Sequence, residues 1–440
     1  MSQTRIPAHL SAALAALPPG AIVVAFSGGM DSSVLLHALA RDAQARARGL
    51  RALHIDHGLH ADSARWAAHC AEVAAALNVP VDCVRVEVAL NGGTGIEDAA
   101  RSARMLAIVQ ALRPGEILAL AQHRGDQAET VLLKLLRGAG PQGLGGMHGL
   151  REQEKVYWWR PLLDLPQDAL RDYAYAHDLR WIDDPSNADT HLRRNFLRRE
   201  ILPRLSERWP DAEIALAHSA VWARAAADFI DDQAGKSLAR LQGLDPATLA
   251  WHGWLDLPDA LRDPVLRRWL RGLGLDEPAH FHVAELEHQL AESASDRSPC
   301  VSFAGTELRR YRDLLYAMRP VAPPPPDWQA DWHGAPLTLP GGGQLELTPQ
   351  RVLETPLQLR FRRGGERIQP AHGAHARELR LLLQESGIPP WQRDRLPLIY
   401  AQDELIAVAD LYLSDAGEAL CRELDARIVW TPDIGANAQP

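Results

Sequence analysis

Cysteine is scarce: Cys70, Cys83, Cys300 and Cys421 are the only four in 440 residues, and they lie far apart. None forms a Cys-x-x-Cys pair, which argues against a cysteine-rich metal site or a disulfide framework and fits a reducing, cytoplasmic setting. No apolar run reaches the roughly 18 residues that a spanning helix needs, so no membrane segment is expected. The start, MSQTRIPAHL, lacks a basic stretch followed by an apolar core, so no secretory leader is expected. Internal repeats are missing too. Positive charge is in deficit, with a net charge of −9. That total disfavours a nucleic-acid partner, but it constrains the average and not the patches.

The chain is too long for one core, so two to three domains are expected. Over the first third, short apolar strands alternate with helical stretches. Strands are read at Ala21–Phe26, Arg51–Asp56, Val81–Val88 and Glu116–Ala121, and helices at Ser32–Ala47, Asp62–Leu77, Thr94–Leu112 and Asp126–Leu136. This alternation predicts an α/β fold with a doubly wound parallel sheet. From about residue 210 the pattern becomes helical, with Val221, Trp222, Ala225 and Phe229 spaced to share one face. The run RPVAPPPPDWQ, residues 319–329, marks a linker. Beyond it, QLELTP, LQLRFRR and ELIAVADLYL read as strands and Ala376–Ser386 as a helix, giving a small α+β domain. The expected division is 1–212, 213–320 and 330–440.

Between the first strand and the first long helix stands SGGMDS, residues 27–32. A loop at the carboxyl end of a parallel strand is where open α/β sheets bind ligands. Gly28 and Gly29 let backbone N–H groups approach a ligand, Ser27, Ser32 and Ser33 add hydroxyls, and the following helix offers its positive end. All of this suits phosphate. Asp31 does not, unless a divalent cation such as Mg²⁺ bridges acid and anion. The residues alone support equally a tight turn with Asp31 or Ser32 as a helix cap. The Walker pattern is absent: the one Gly-Lys-Ser, Gly235–Ser237, has Ile230 where the first glycine belongs.

SGGMDS after a strand resembles the loop of the N-type ATP pyrophosphatases, which adenylate a substrate and release pyrophosphate. Further segments resemble one family, the tRNA(Ile)-lysidine synthetases. They are His54-x-x-His57-Gly58-Leu59; Glu97-x-x-Ala-Arg101-x-x-Arg104; Asp126-Gln-x-Glu129-Thr with Arg137-Gly-x-Gly-x-x-Gly-Leu; Trp181-x-x-Asp184-x-Ser-Asn187; and Arg194-Asn-x-x-Arg198. FRRGGERIQP and SGIPPWQRDRLPLIY resemble that family's last domain, so the likeness covers nearly the whole chain in order.

The resemblance implies an enzyme that uses ATP to adenylate C2 of the wobble cytidine in a CAU-anticodon tRNA(Ile), after which free lysine displaces AMP. It implies ATP contacts from Ser27, Gly28, Gly29, Met30, Asp31, Ser32, His54 and Asp56. It implies Mg²⁺ on Asp31, and catalytic roles for Asp31, Asp126, Glu129, Arg101 and Arg104. Asp126 and Glu129, three apart on a helix, fall on one face; without the resemblance, the preferred reading is that they merely complement the helix dipole. One departure stands out. The family usually carries two adjacent aspartates, and Gly125 replaces the first. If that aspartate held metal or lysine, the chain is weakened. If it capped the helix, glycine costs only a few tenths of a kcal/mol. Two alternatives follow: a tRNA thiolase, which would need a catalytic cysteine pair, and a non-catalytic tRNA-binding homologue.

Arginine is locally dense despite the acidic total. Arg193, Arg194, Arg198 and Arg199 lie in an acid-free stretch, and Arg362 and Arg363 sit beside Gly364–Gly365. These are the expected tRNA phosphate contacts. Trp391 reads as core or as a base-stacking surface, and a homodimer is one admissible assembly.

Overall fold

The computed structural model describes residues 5–56, 58, 62–86, 105–153, 155–292 and 299–432, without the side chains of Arg5 and Ser186. These residues form two compact units, Met1–Phe229 and Ile230–Pro440.

The first unit is built on a six-stranded sheet. Its strands are β1 (Ile22–Ala25), β2 (Leu50–Asp56), β3 (Val81–Arg85), β4 (Ile117–Ala119), β5 (Leu150–Gln153) and β6 (Val156–Trp159), in the order β3-β2-β1-β4-β6-β5. All neighbours pair parallel except the edge hairpin β5–β6. The alternation along β1 explains why both faces are covered. Ile22 and Val24 enter one core with Leu35, Leu36 and Leu39, while Val23 enters a second with Leu53, Ile108 and Leu118. The expected doubly wound sheet is therefore present.

Helix α1 (Arg5–Ala15) precedes β1, and α2 (Met30–Ala40) follows it. The single helix expected over Ser32–Ala47 is in fact two. Asp42 stands between α2 and α3 (Ala43–Arg48), and its Oδ1 accepts the N–H groups of Gln44 at 2.8 Å and Ala45 at 3.0 Å. An N-capping aspartate starts a new helix and so ends the old one. Next come α4 (Ser63–Ala76) after β2, a helical run over 105–111, and α5 (Arg124–Leu135) after β4. The first part of the helix expected at Thr94–Leu112 lies outside the described residues. Helix α6 (Gln167–Ala176) packs on α2 through Leu170, Tyr173 and Ala174. Then α7 (Arg193–Phe196) runs into a π-helical turn, Leu197–Ile201, and α8 (Leu202–Arg208). On the helix Ala212–Leu241, the residues Val221, Trp222, Ala225 and Phe229 share exposure, as their spacing predicts.

The second unit contains more strand than its first half suggests. Helices Asp259–Gly272 and His280–Glu292 form around Val265, Leu266, Trp269, Leu270, Val283 and Leu286. They share that core with a four-stranded antiparallel sheet, Thr248–Ala250, Leu314–Met318, Thr306–Tyr311 and Cys300–Phe303. The tetraproline stretch follows without regular structure. A five-stranded antiparallel sheet then begins at Gln329–Trp332. The helix expected at Ala376–Ser386 spans Leu379–Glu385, because Arg377–Glu378 is drawn into a short strand pair with Arg367–Ile368. Trp391 packs edge-on against Tyr311 and Tyr316, with the Arg309 guanidinium 5.5 Å from its ring centre. It belongs to packing.

Candidate active site

A cleft of about 1020 Å³ opens at the carboxyl ends of β1, β2 and β4. Phe26, Leu53, Ile55, Met105, Ile108 and Leu120 form its apolar bed, and Ser27, Gly29, Met30, Asp31 and Ser32 form one rim. The rim is a preformed loop. Gly28 has φ +81°, and a Cβ there would lie 2.6 Å from Ile182 Cδ1 and 2.9 Å from Cys70 Sγ. No side chain fits and no L-residue prefers that backbone. Ser27 Oγ accepts the Gly29 N–H at 3.3 Å and lies 3.1 Å from Ser32 Oγ, which donates to the Gly29 carbonyl at 3.0 Å. Gly29 is the N-cap of α2 and supplies no side-chain cap, so the first turn presents bare N–H groups toward the cleft.

Asp31 stands in that first turn. Burial raises its carboxyl above the ordinary carboxylate range, and the nearby Asp126 carboxylate adds to the rise. Its Oδ1 is buried without a hydrogen-bond partner. An unpartnered carboxylate oxygen beside a phosphate-type loop fits a divalent cation, since Mg²⁺ takes one or two carboxylates and completes its shell with phosphate and water.

Opposite the loop, α5 begins at its N-cap His123. Asp126 Oδ2 accepts the His123 N–H at 3.0 Å. Asp126 and Glu129 share a face, as their spacing predicts, and two arginines span them. Arg198 donates from Nε to Glu129 Oε1 at 2.5 Å and from Nη2 to Asp126 Oδ1 at 2.8 Å. Arg194 Nε donates to Glu129 Oε2 at 2.6 Å, with Nη2 lying 3.3 Å from Asp126 Oδ1. Burial works against the charge on Arg198, but its bond to Glu129 and the fields of Glu129, Asp126 and Asp31 outweigh it and hold the guanidinium protonated.

Several expectations change here. Arg194 and Arg198 were expected on tRNA phosphates, yet both turn inward onto carboxylates; Arg193 and Arg199 remain exposed. Helical spacing accounts for this, because 194 and 198 are one turn apart and share a side that 193 does not. Glu129 is 1% exposed with both oxygens engaged, so it anchors arginines, while Asp126 reaches the cleft. His54 was expected in the nucleotide pocket. Its ring is buried under the loop, with Nδ1 2.8 Å from the Phe26 carbonyl oxygen. Leu53 and Ile55 face the cleft, so the period of two turns His54 and Asp56 away; Asp56 Oδ1 accepts the Gly58 N–H at 2.9 Å. Arg362 is only 16% exposed in its side chain and pairs with Glu366 and Asp394, and Arg363 pairs with Asp327. Arg101 and Arg104, with His57, lie outside the described residues. Position 125 is not the helix cap, since His123 holds that place.

Cys70 packs against the loop, 3.4 Å from His54 Nδ1. Burial pushes its thiol up to about 12, which makes it a poor nucleophile. The residue types alone did not single out Arg171, Trp181, Asn187 or Asn195, all of which line the cleft. The segments quoted around Trp181 and Asn195 were the available signal.

The N-terminal region matches the PP-loop domain model over residues 2–205. This and the loop's geometry place the chain among ATP-dependent PP-loop enzymes. The models for the TilS substrate binding domain and the TilS substrate C-terminal domain match residues 249–316 and 357–430. A tRNA(Ile)-lysidine synthase of Xanthomonas axonopodis pv. citri is 45% identical over 96% of this chain and 97% of its own length. One of Pseudomonas aeruginosa is 40% identical over 94% of each. The chain belongs to the tRNA(Ile)-lysidine synthase family, which makes it an ATP-dependent ligase. Among solved structures, a U34-tRNA thiolase of Methanococcus maripaludis aligns at 14% identity and a TM-score of 0.41, covering 50% of this chain and 77% of that one. Among the described residues no helix is long and apolar enough to cross a membrane.

Proposed function

We propose that the cleft carries out both steps of lysidine formation on the wobble cytidine of a CAU-anticodon tRNA(Ile). In the first, the cytidine C2 oxygen attacks the α-phosphorus of ATP and pyrophosphate leaves. Ser27, Ser32 and the bare N–H groups at the start of α2 receive the phosphates, while the apolar bed from Phe26 to Leu120 takes the adenine. Asp31 is the residue that would hold Mg²⁺, which when bound offsets charge on the departing pyrophosphate. In the second step the amine of free lysine forms a bond to C2 as the C2–O bond to AMP breaks. That amine, ordinarily protonated with a pKa near about 10.4, must shed its proton before it attacks. Asp126, at the start of α5 and lining the cleft, is the carboxylate assigned to hold it. Glu129 and the two arginines fix Asp126 in place.

Residues 213–320 and 330–440 are assigned to tRNA contact, with Arg193, Arg199 and Arg363 as phosphate ligands. The assembly is read as monomer or homodimer, and the setting as cytoplasmic. The convergence of Asp31 and Asp126 on one cleft carries this reading. Asp31→Ala tests it: pyrophosphate release should be lost while tRNA affinity stays within about twofold. A collapse of tRNA binding would contradict the role given to Asp31.

A further inference from the structure

Gly125 is buried in the first turn of α5 and is absent from the cleft lining. Its φ is not positive, so the backbone does not require glycine. A neighbouring ring does. A Cβ at 125 would lie 2.8 Å from His123 Cε1 and 3.1 Å from its Nδ1. Any side chain there must displace the imidazole.

Burial and a backbone hydrogen bond hold that imidazole in place. The residue is 2% exposed, and Nδ1 accepts the Gly125 N–H at 3.0 Å. An accepting Nδ1 places the hydrogen of the neutral ring on Nε2. Nε2 is buried and has no hydrogen-bond partner. It lies 3.8 Å from Asp31 Oδ2 and 3.5 Å from Asp126 Oδ2. One N–H therefore faces two carboxylates from different elements, one in the phosphate loop and one at the start of α5. Two half-buried acids at one cleft repel each other, and a donor between them reduces that repulsion and sets their separation.

We propose that His123 is a positioning residue that aligns Asp31 with Asp126, and that residue 125 is glycine because the His123 ring occupies the space of its side chain. The proposal rests on the reading of the cleft given above. On this account glycine at 125 is part of a working site and not a sign of decay.

The test separates capping from positioning. In His123→Asn the side-chain oxygen still caps α5, but no donor reaches the two carboxylates. The melting temperature should stay near that of the unaltered protein. The kcat of pyrophosphate release and of lysine transfer should fall ten- to a hundredfold, as expected of a small misplacement of reacting groups. KM for ATP and for lysine should change less than twofold. Gly125→Ala should produce the same fall by pushing the ring aside, and the double variant should fall no further than either single one. Unaltered kcat in His123→Asn, or independent losses that multiply in the double variant, would overturn the proposal. Asp31→Ala and Asp126→Asn run in parallel keep the two readings apart. If those variants retain full activity the site reading fails; if they lose it while His123→Asn does not, only the positioning role fails.

Discussion

Arg198 joins the two acids of α5 through one guanidinium, donating to Glu129 at 2.5 Å and to Asp126 at 2.8 Å. Glu129 is buried and saturated with donors, and Asp126 keeps access to the cleft. Both acids hold the arginines, and under the proposed function Asp126 is the one open to substrate. Glu129→Gln leaves two guanidinium groups short of a charge partner. Its expected cost is about 2 kcal/mol, less than for a fully buried pair because both arginines retain solvent contact. Thermal melting checks the stability loss, and lysine transfer should fall with it. Arg198→Lys should also lose activity, since an ammonium cannot span both carboxylates.

Gly28 tests the loop. Its left-handed backbone and its contacts with Ile182 and Cys70 leave no room for a methyl group. Gly28→Ala should destabilise the protein by about 2 kcal/mol and weaken ATP binding, read by melting and by titration calorimetry. Gly138, also at positive φ but with open space around it, is the control; alanine there should cost about 1 kcal/mol and leave ATP affinity unchanged.

The arginine clusters divide by exposure. Arg193→Ala and Arg199→Ala should each weaken tRNA binding and lower the salt dependence of the affinity by about one phosphate contact. Arg362→Ala should affect tRNA affinity less and local stability more, because Glu366 and Asp394 already engage it. Filter binding across a salt series distinguishes the two behaviours.

His37 predicts a pH dependence of stability. It lies buried in α2 with Nδ1 2.9 Å from the Tyr173 hydroxyl. Burial lowers its pKa from 6.5 to about 4, with the charges of His177 and Arg41 adding to the effect. In the unfolded chain the ring protonates near 6.5, so between pH 6.5 and 4 the unfolded state binds more protons than the native one. Stability therefore falls as pH drops through that window, by up to about 3 kcal/mol. His37→Gln should flatten that part of a stability-against-pH curve measured by urea unfolding.

Much of the catalytic unit was legible in the sequence. The strands, the loop between β1 and α2, and the common face of Asp126 and Glu129 follow from hydrophobic period, glycine placement and helical spacing. What stayed hidden depends on partners distant in the chain. Arginine density cannot say that Arg194 and Arg198 meet acids 65 or more residues away. His54 carries the chemistry of a pocket residue, but strand phase turns it away. The sheet around Thr306–Tyr311 was missed because tryptophan-rich helices dominate the pattern beside it. Gly125 reads as a loss in the sequence because only the folded helix start brings the His123 ring to within 2.8 Å of where its Cβ would lie.

The most direct measurement supplies labelled lysine, ATP–Mg²⁺ and a CAU-anticodon isoleucine tRNA transcript to the protein and to Asp126→Asn. The account predicts that the unaltered protein places label in the tRNA with one pyrophosphate released per lysine. Asp126→Asn should release pyrophosphate and leave the tRNA unlabelled. No label in the tRNA at stoichiometric enzyme would contradict the account.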